Sequence, residues 1–202
     1  MRRLNIAALI LLFCLQGCSL FYPQPKQNFY TLSANRESGS APSSNGPALS
    51  IDQLQIASPY ANQGFVYHLP GGTVQSDYYH LFLSAPQFNI AEQLKASLRK
   101  SGHFRTVSGY NQSQGADYIL NGNIEALYGD YTNPQQPFAV VAMRIYLSKK
   151  VESSSIDKNL LGHYEKRIPL SRNSPDGLVK AWDTGLASIF ANIEHDITQS
   201  LH

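Results

Sequence analysis

Residues 174–201, Ser-Pro-Asp-Gly-Leu-Val-Lys-Ala-Trp-Asp-Thr-Gly-Leu-Ala-Ser-Ile-Phe-Ala-Asn-Ile-Glu-His-Asp-Ile-Thr-Gln-Ser-Leu, decide the fold. Ser174 is a helix cap, Pro175 fits the first helical position because it needs no amide partner, and Asp176 complements the positive end of the helix dipole. Leu178, Trp182, Leu186, Ile189, Ile193, Ile197 and Leu201 then recur in steps of four or three, which gives one apolar stripe. A stripe that long must lie on an apolar partner, and the sequence before it supplies strands. Trp182 sits on the stripe, so it reads as core and not as a ligand platform.

Working upstream, Leu160 to Leu170 reads as a strand and Ser153 to Asn159 as a loop. Phe138 to Val151 is a long strand. Its first half is apolar on both faces; in its second half Met143, Ile145 and Leu147 alternate with Arg144, Tyr146 and Ser148. Asn133 to Pro137 turns the chain. In Ala116 to Tyr128, Tyr118, Leu120, Ile124, Ala126 and Tyr128 share one parity. Asn121-Gly122-Asn123 could split this run as a turn, but the kept parity favours a single strand.

Further upstream, Ser108 to Gly115 is a polar loop and His103 to Val107 a short strand. Ser84-Ala85-Pro86-Gln87 fits a helix start of the capping-box type. Ala91, Leu94 and Leu98 follow at helical spacing, and Gly102 ends that helix. Gly64 to Leu69 and Thr73 to Leu83 flank Pro70-Gly71-Gly72 and predict a hairpin. Ala48 to Ile56 reads as a strand with a phase shift that marks a bulge. The order of strands, helix, strands, helix predicts a single α+β domain, a largely antiparallel mixed sheet with two main helices packed on it.

The N-terminal part has a different character. Arg2 and Arg3 precede an apolar run from Ile6 to Leu15, too short for a bilayer core that takes roughly 20 helical residues. Leu15-Gln16-Gly17-Cys18 closes it and reads as a lipobox: residues 1–17 are a lipoprotein signal peptide, and Cys18 becomes an acylated N-terminus. An ordinary signal with a chance cysteine is the alternative. Cys14 is discarded with the signal, so the mature chain holds no disulfide and no free thiol. Ser19 in place of Asp favours the outer membrane, on its periplasmic face. Residues 18–47 are expected to be a lipidated tether and flexible linker with a short strand near 28–33, and residues 48–202 the domain.

Composition excludes several classes. The chain has 202 residues and a formal charge of +2, and Arg2 and Arg3 account for that charge. The mature part has 14 basic and 14 acidic residues, so no basic surplus points to nucleic acid. The sequence contains no nucleophile elbow, zinc-protease motif or phosphate loop, and so suggests no enzyme, cofactor or metal. Asp77 and His80 would point to opposite faces of a strand. Glu194 and His195 are adjacent on a helix and do not face each other.

With the elements placed, the mature chain resembles the ABC-type transport auxiliary lipoprotein family, the PqiC-like lipoproteins of MCE-type lipid transport systems. The resemblance is carried by Phe29-Tyr30-Thr31-Leu32, by Ile56 to Tyr60 with Gly64 to Tyr67, and by the run from Tyr78 to Leu98. That last run has a tyrosine-rich strand, an Ala/Pro turn, then a helix containing Gln93-Leu94 and Leu98. Asp117 to Leu120 and the terminal helix also fit. The family often has Trp before the Ala/Pro turn, where this chain has Phe82-Leu83.

The resemblance implies a non-catalytic part of a lipid-moving machine. Its partners would be an MCE-domain periplasmic protein, an ABC permease system and further copies of itself. A lipid-binding carrier with its own apolar pocket is the alternative. Phe65, Tyr67, Tyr78 and Tyr79 are the candidate partner-binding residues, because a Gly-Gly hairpin is an exposed place for aromatics; strand alternation would instead turn half of them into the core.

Overall fold

The computed structural model describes residues 26–34, 40–150 and 157–201. The signal segment and Cys18 lie outside the described residues, as do 35–39 of the expected linker and 151–156 of the expected strand end and loop. The described elements run in the order β1 (Asn28–Tyr30), β2 (Ala48–Ile51), β3 (Gln55–Ile56), β4 (Gly64–His68), β5 (Val74–Phe82), α1 (Pro86–Lys100), β6 (Thr106–Gly109), β7 (Tyr118–Asp130), β8 (Phe138–Lys149), β9 (Asp157–Pro169) and α2 (Pro175–Ser200). This is the expected single α+β domain, with a curled mixed sheet and two helices.

The sheet is organised around β7. It pairs in parallel with β2, β3 and β4, and antiparallel with β8, which pairs antiparallel with β9. β5 joins β4 antiparallel, and the edge strand β1 joins β5 in parallel. At the opposite edge β6 lies parallel to β2. The longest ladders are antiparallel, as expected; the parallel pairings join strands far apart in sequence, as when β2, β3 and β4 meet β7.

The terminal helix forms where its caps and stripe place it. Ser174 Oγ accepts a hydrogen bond from the Gly177 amide at 3.1 Å. Leu178, Trp182, Leu186, Ile189, Ile193 and Ile197 are fully buried. Burial of each such side chain stabilises the fold by about 1.5–3 kcal/mol relative to exposure. The Trp182 indole N–H donates to the carbonyls of Tyr128 and Val140, both at 3.3 Å, so its polar end is satisfied inside the core. The first helix buries Ile90, Leu94 and Leu98 into the same core, and Gly102 follows it at φ 79°, a conformation glycine adopts without strain.

Several local expectations differ. The cap of α1 is Ala85, with no side-chain hydrogen bond, so Ser84 does not close a capping box. The run 48–56 is interrupted: Ile51 pairs with Leu120 and Gln55 with Asn123, one residue more on the β2–β3 side than on β7. β6 occupies 106–109 instead of 103–107. β7 is a single strand, but its parity does not hold. The register jumps between Ile124 and Ala126, so Leu120 and Ile124 point inward before the jump and Leu127 after it.

The segment before β2 is part of the packing. Leu32 and Ala34 are buried in the core, and the Ser33 amide donates to Asp183 Oδ1 on α2 at 2.7 Å. Residues 40–47, expected to be flexible linker, lie against the domain. The Ser40 amide donates to the Lys100 carbonyl at 2.8 Å, and Gly46 packs on the backbone at His103.

Candidate functional site

The hairpin of β4 and β5 turns at Pro70-Gly71-Gly72, where both glycines take positive φ. Next to the turn its register is regular: His68 faces Val74, Tyr67 faces Gln75 and Val66 faces Ser76. The next aligned pair is Gly64 with Leu81, so β5 advances five residues while β4 advances two. The extra chain at 77–80 is a bulge, and Asp77 holds it. Oδ1 accepts from the amides of Tyr79 (2.7 Å) and His80 (3.2 Å). Oδ2 takes the Tyr67 hydroxyl (2.8 Å) and meets His80 Nδ1 (2.7 Å).

This corrects one sequence-based expectation. Asp77 and His80 do not point apart, because the bulge breaks the alternation that would separate them. Burial alone would raise the Asp77 carboxyl; the bonds from His80, Tyr79 and Tyr67 outweigh it and hold the group below the usual carboxylate range. Burial, then the bond to Asp77, pushes the Tyr67 phenol well above its ordinary value, so it stays a donor. A carboxylate with four partners and a phenol that keeps its proton make a brace for the backbone.

What the brace presents is Tyr78 and Tyr79. They are 62% and 49% exposed, and their rings meet edge-on with centroids 5.5 Å apart. The other two candidates lie elsewhere. Tyr67 is half-buried and committed to Asp77. Phe65 is 0% exposed, 4.7 Å from the Phe82 ring and 5.1 Å from that of Trp182, so as a surface contact it is corrected to core. Alternation along β4 turns Phe65 under the sheet.

Two further apolar residues join the exposed pair. Phe29 on β1 is 55% exposed and aligned with Leu81, while its neighbour Tyr30 turns inward onto Phe65 at 5.2 Å. Leu83 is 64% exposed, and its amide donates to the Tyr30 carbonyl at 2.8 Å. The Gln27 side chain donates to the Tyr78 carbonyl at 3.1 Å, tying the head of β1 to the bulge. The alternation of Asn28 to Ser33 indicated a strand, but which strand it would pair with was not encoded locally.

Elsewhere several charges are paired. Glu125 meets Arg144 at 2.7 Å and His163 at 3.0 Å, and Arg167 meets Asp130 at 2.6 Å. Glu194 is buried and approaches His103 at 3.4 Å. Among the described residues no three His, Cys, Asp or Glu side chains gather as a metal site, and no helix is long and apolar enough to cross a membrane. A cleft of about 240 Å³ lies between α1 and the end of β2, lined by Leu54, Phe88, Ala91 and Tyr110 together with Asp52, Glu92 and Lys95.

A family model described as the ABC-type transport auxiliary lipoprotein component matches residues 30–194. The crystal structure of protein XCC0632 from Xanthomonas campestris superposes with a TM-score of 0.69 at 14% identity, covering 86% of this chain and 98% of that one. A crystal structure of an uncharacterized protein gives a TM-score of 0.64 at 20% identity, covering 85% of this chain and 99% of its own. These likenesses show the fold. No curated protein matches the sequence. The family match runs from the inner side of β1 through most of α2, and so takes in the braced hairpin and the core beneath it: the chain belongs to the ABC-type transport auxiliary lipoprotein family.

Proposed function

We propose that this auxiliary component is anchored through an acylated Cys18 to the periplasmic face of the outer membrane. There it docks the periplasmic tunnel protein of an MCE-type lipid transport system, as a homo-oligomer and without catalysis. The family match over residues 30–194 carries the reading. Lipids need a continuous apolar path across an aqueous gap, and a tethered collar keeps the end of that path in line. The lipobox Leu15 to Cys18 and the Ser19 that follows supply the tether and its address.

The carrier alternative is less well supported. Two clefts of ordinary ligand size have polar groups in their walls: one of about 450 Å³ carries His103, Glu194 and His195, and one of about 460 Å³ carries Lys149, Asn159 and Ser200. The cleft beside α1, at about 240 Å³, falls below the roughly 300–1,000 Å³ of ordinary ligand pockets. It also carries Glu92 and Lys95 in its wall.

Crosslinking in intact cells tests the docking role. The mature protein is expected to be captured both with itself and with an MCE-domain tunnel protein. Absence of both products, with the protein present at normal level, overturns the reading.

A further inference from the structure

The exposed aromatics of the braced hairpin lie at the point where the anchor enters the domain. Eight residues lie between Cys18 and Gln27, a span of at most roughly 30 Å when fully extended. Gln27 is itself hydrogen-bonded to the bulge, so the surface formed by Phe29, Tyr78, Tyr79 and Leu83 is held beside the incoming tether. Between Asp52 and Glu92 the sequence has a single charged residue, Asp77. Its carboxylate is turned inward and occupied by four hydrogen bonds. The surface therefore has apolar rings with hydroxyl tips and no free carboxylate from this segment. Exposed Lys26 stands at its rim, where lipid phosphates would lie.

We propose that Phe29, Tyr78, Tyr79 and Leu83 seat the domain on the headgroup layer of the membrane that holds Cys18. The anchored domain then stands in a fixed orientation on the bilayer. The inference rests on the reading of Cys18 as an acylated N-terminus, and it names the lipid surface as the partner of Tyr78 and Tyr79. Tyrosine suits this place: its ring enters the acyl boundary while its hydroxyl stays hydrated, and side chains of this kind form the belts of membrane interfaces. Acyl anchors alone permit rotation about the tether, whereas a second, side-chain contact restrains it.

The cysteine content makes the test direct. Once Cys14 is removed and Cys18 acylated, an introduced thiol is the one available to a dye. Full-length lipoprotein carrying Phe29→Cys, Tyr79→Cys or Leu83→Cys is labelled with an environment-sensitive nitrobenzoxadiazole dye. It is then reconstituted into phosphatidylethanolamine/phosphatidylglycerol vesicles with or without spin-labelled lipids. Tyr110→Cys, in the turn after β6, and Leu160→Cys, on β9, both exposed, are the references.

Dyes at 29, 79 and 83 are expected to shift to the blue and lose emission to the spin labels, and dyes at 110 and 160 to do neither. Equal behaviour at all five positions overturns the proposal. So does a blue shift at 29, 79 and 83 that appears without lipid and grows with protein concentration, since a second copy would then cover the surface. A third overturning result is a Tyr78→Ser/Tyr79→Ser double variant that loses its crosslink to the tunnel protein while quenching at position 29 is unchanged. The intact mass of the mature chain reports acylation of Cys18 separately, so failure of the anchor is distinguished from failure of the seat.

Discussion

The two flanks of the sheet handle their polar groups in opposite ways. On the flank of β1, β5 and β4, one carboxylate serves four donors, and the surface beyond it is aromatic. On the flank of β8 and β9, Glu125 of β7 pairs with Arg144 of β8 and meets His163 of β9 on the outer face. Both flanks rest on one core. The difference teaches where stability resides. An ion pair as exposed as Arg144 with Glu125 is screened by water and salt, so it adds solubility more than stability. The hydrogen bonds of Asp77 are shielded by the protein and brace the bulge, which Gln27 holds from the β1 side.

The largest effect should come from beneath the aromatic flank. Phe65→Ala is expected to cost about 3–5 kcal/mol, read as a fall in the urea midpoint, because it empties a site among Phe82, Tyr30 and Trp182. A loss close to that of an exposed substitution would remove the claim that this flank shares the core.

Asp77→Ala should come next, at about 1.5–3 kcal/mol, since it strands donors that bond a charged acceptor. The Asp77 carboxyl lies below its ordinary value in the folded chain. Its contribution is therefore fully present above the unfolded value near 3.9 and is lost as pH falls through the lower folded value. The cost of the substitution should shrink over that acid range. A cost independent of pH from 2 to 7 would show that the charge is not what braces the bulge.

Asp183→Asn should act more weakly and with the opposite sign. Burial raises the Asp183 carboxyl, and the bond from the Ser33 amide only partly opposes this. Stability from this group is present below the unfolded value and is lost as pH rises through the folded one. Asparagine keeps an acceptor for Ser33 while removing the charge. Melting temperature should rise slightly at neutral pH, with the gain vanishing in acid. A loss at neutral pH would show that the charge itself is needed.

Smallest of all should be Arg144→Ala on the charged flank, whose effect on melting should fade as salt is added. A drop that survives in high salt would break the contrast between the flanks.

Much of the architecture could be read from local chemistry. Ser174, Pro175 and the stripe from Leu178 to Ile197 specify α2 almost unaided, and Pro70-Gly71-Gly72 specifies the hairpin. The misreadings share one cause, the dependence of a residue's direction on distant partners. Asp77 could not be paired with His80 from spacing, because the bulge exists through donors on β4 as well as its own strand. The parity of β7 changes at Glu125 because β8 has no residue opposite it. Leu32 and Ala34 lie in a polar neighbourhood of sequence, and only the assembled core shows their burial. At the candidate site, Tyr78 and Tyr79 were legible as exposed aromatics, while Phe29 and Leu83 needed the pairing of β1 with β5 to join them.

That pairing also has a mechanical side. Under the proposed anchoring at Cys18, a pull from the membrane passes first through this strand. Because β1 lies alongside β5, a pull along the strand loads its hydrogen bonds in shear, where they share the force, instead of peeling them one by one. Leu32, seated in the core just behind, acts as a stop. Thermal agitation tugging on the proposed anchor would thus be resisted by a clamp of a few residues that passes the load into the core and, through Gln27, into the bulge at Tyr78.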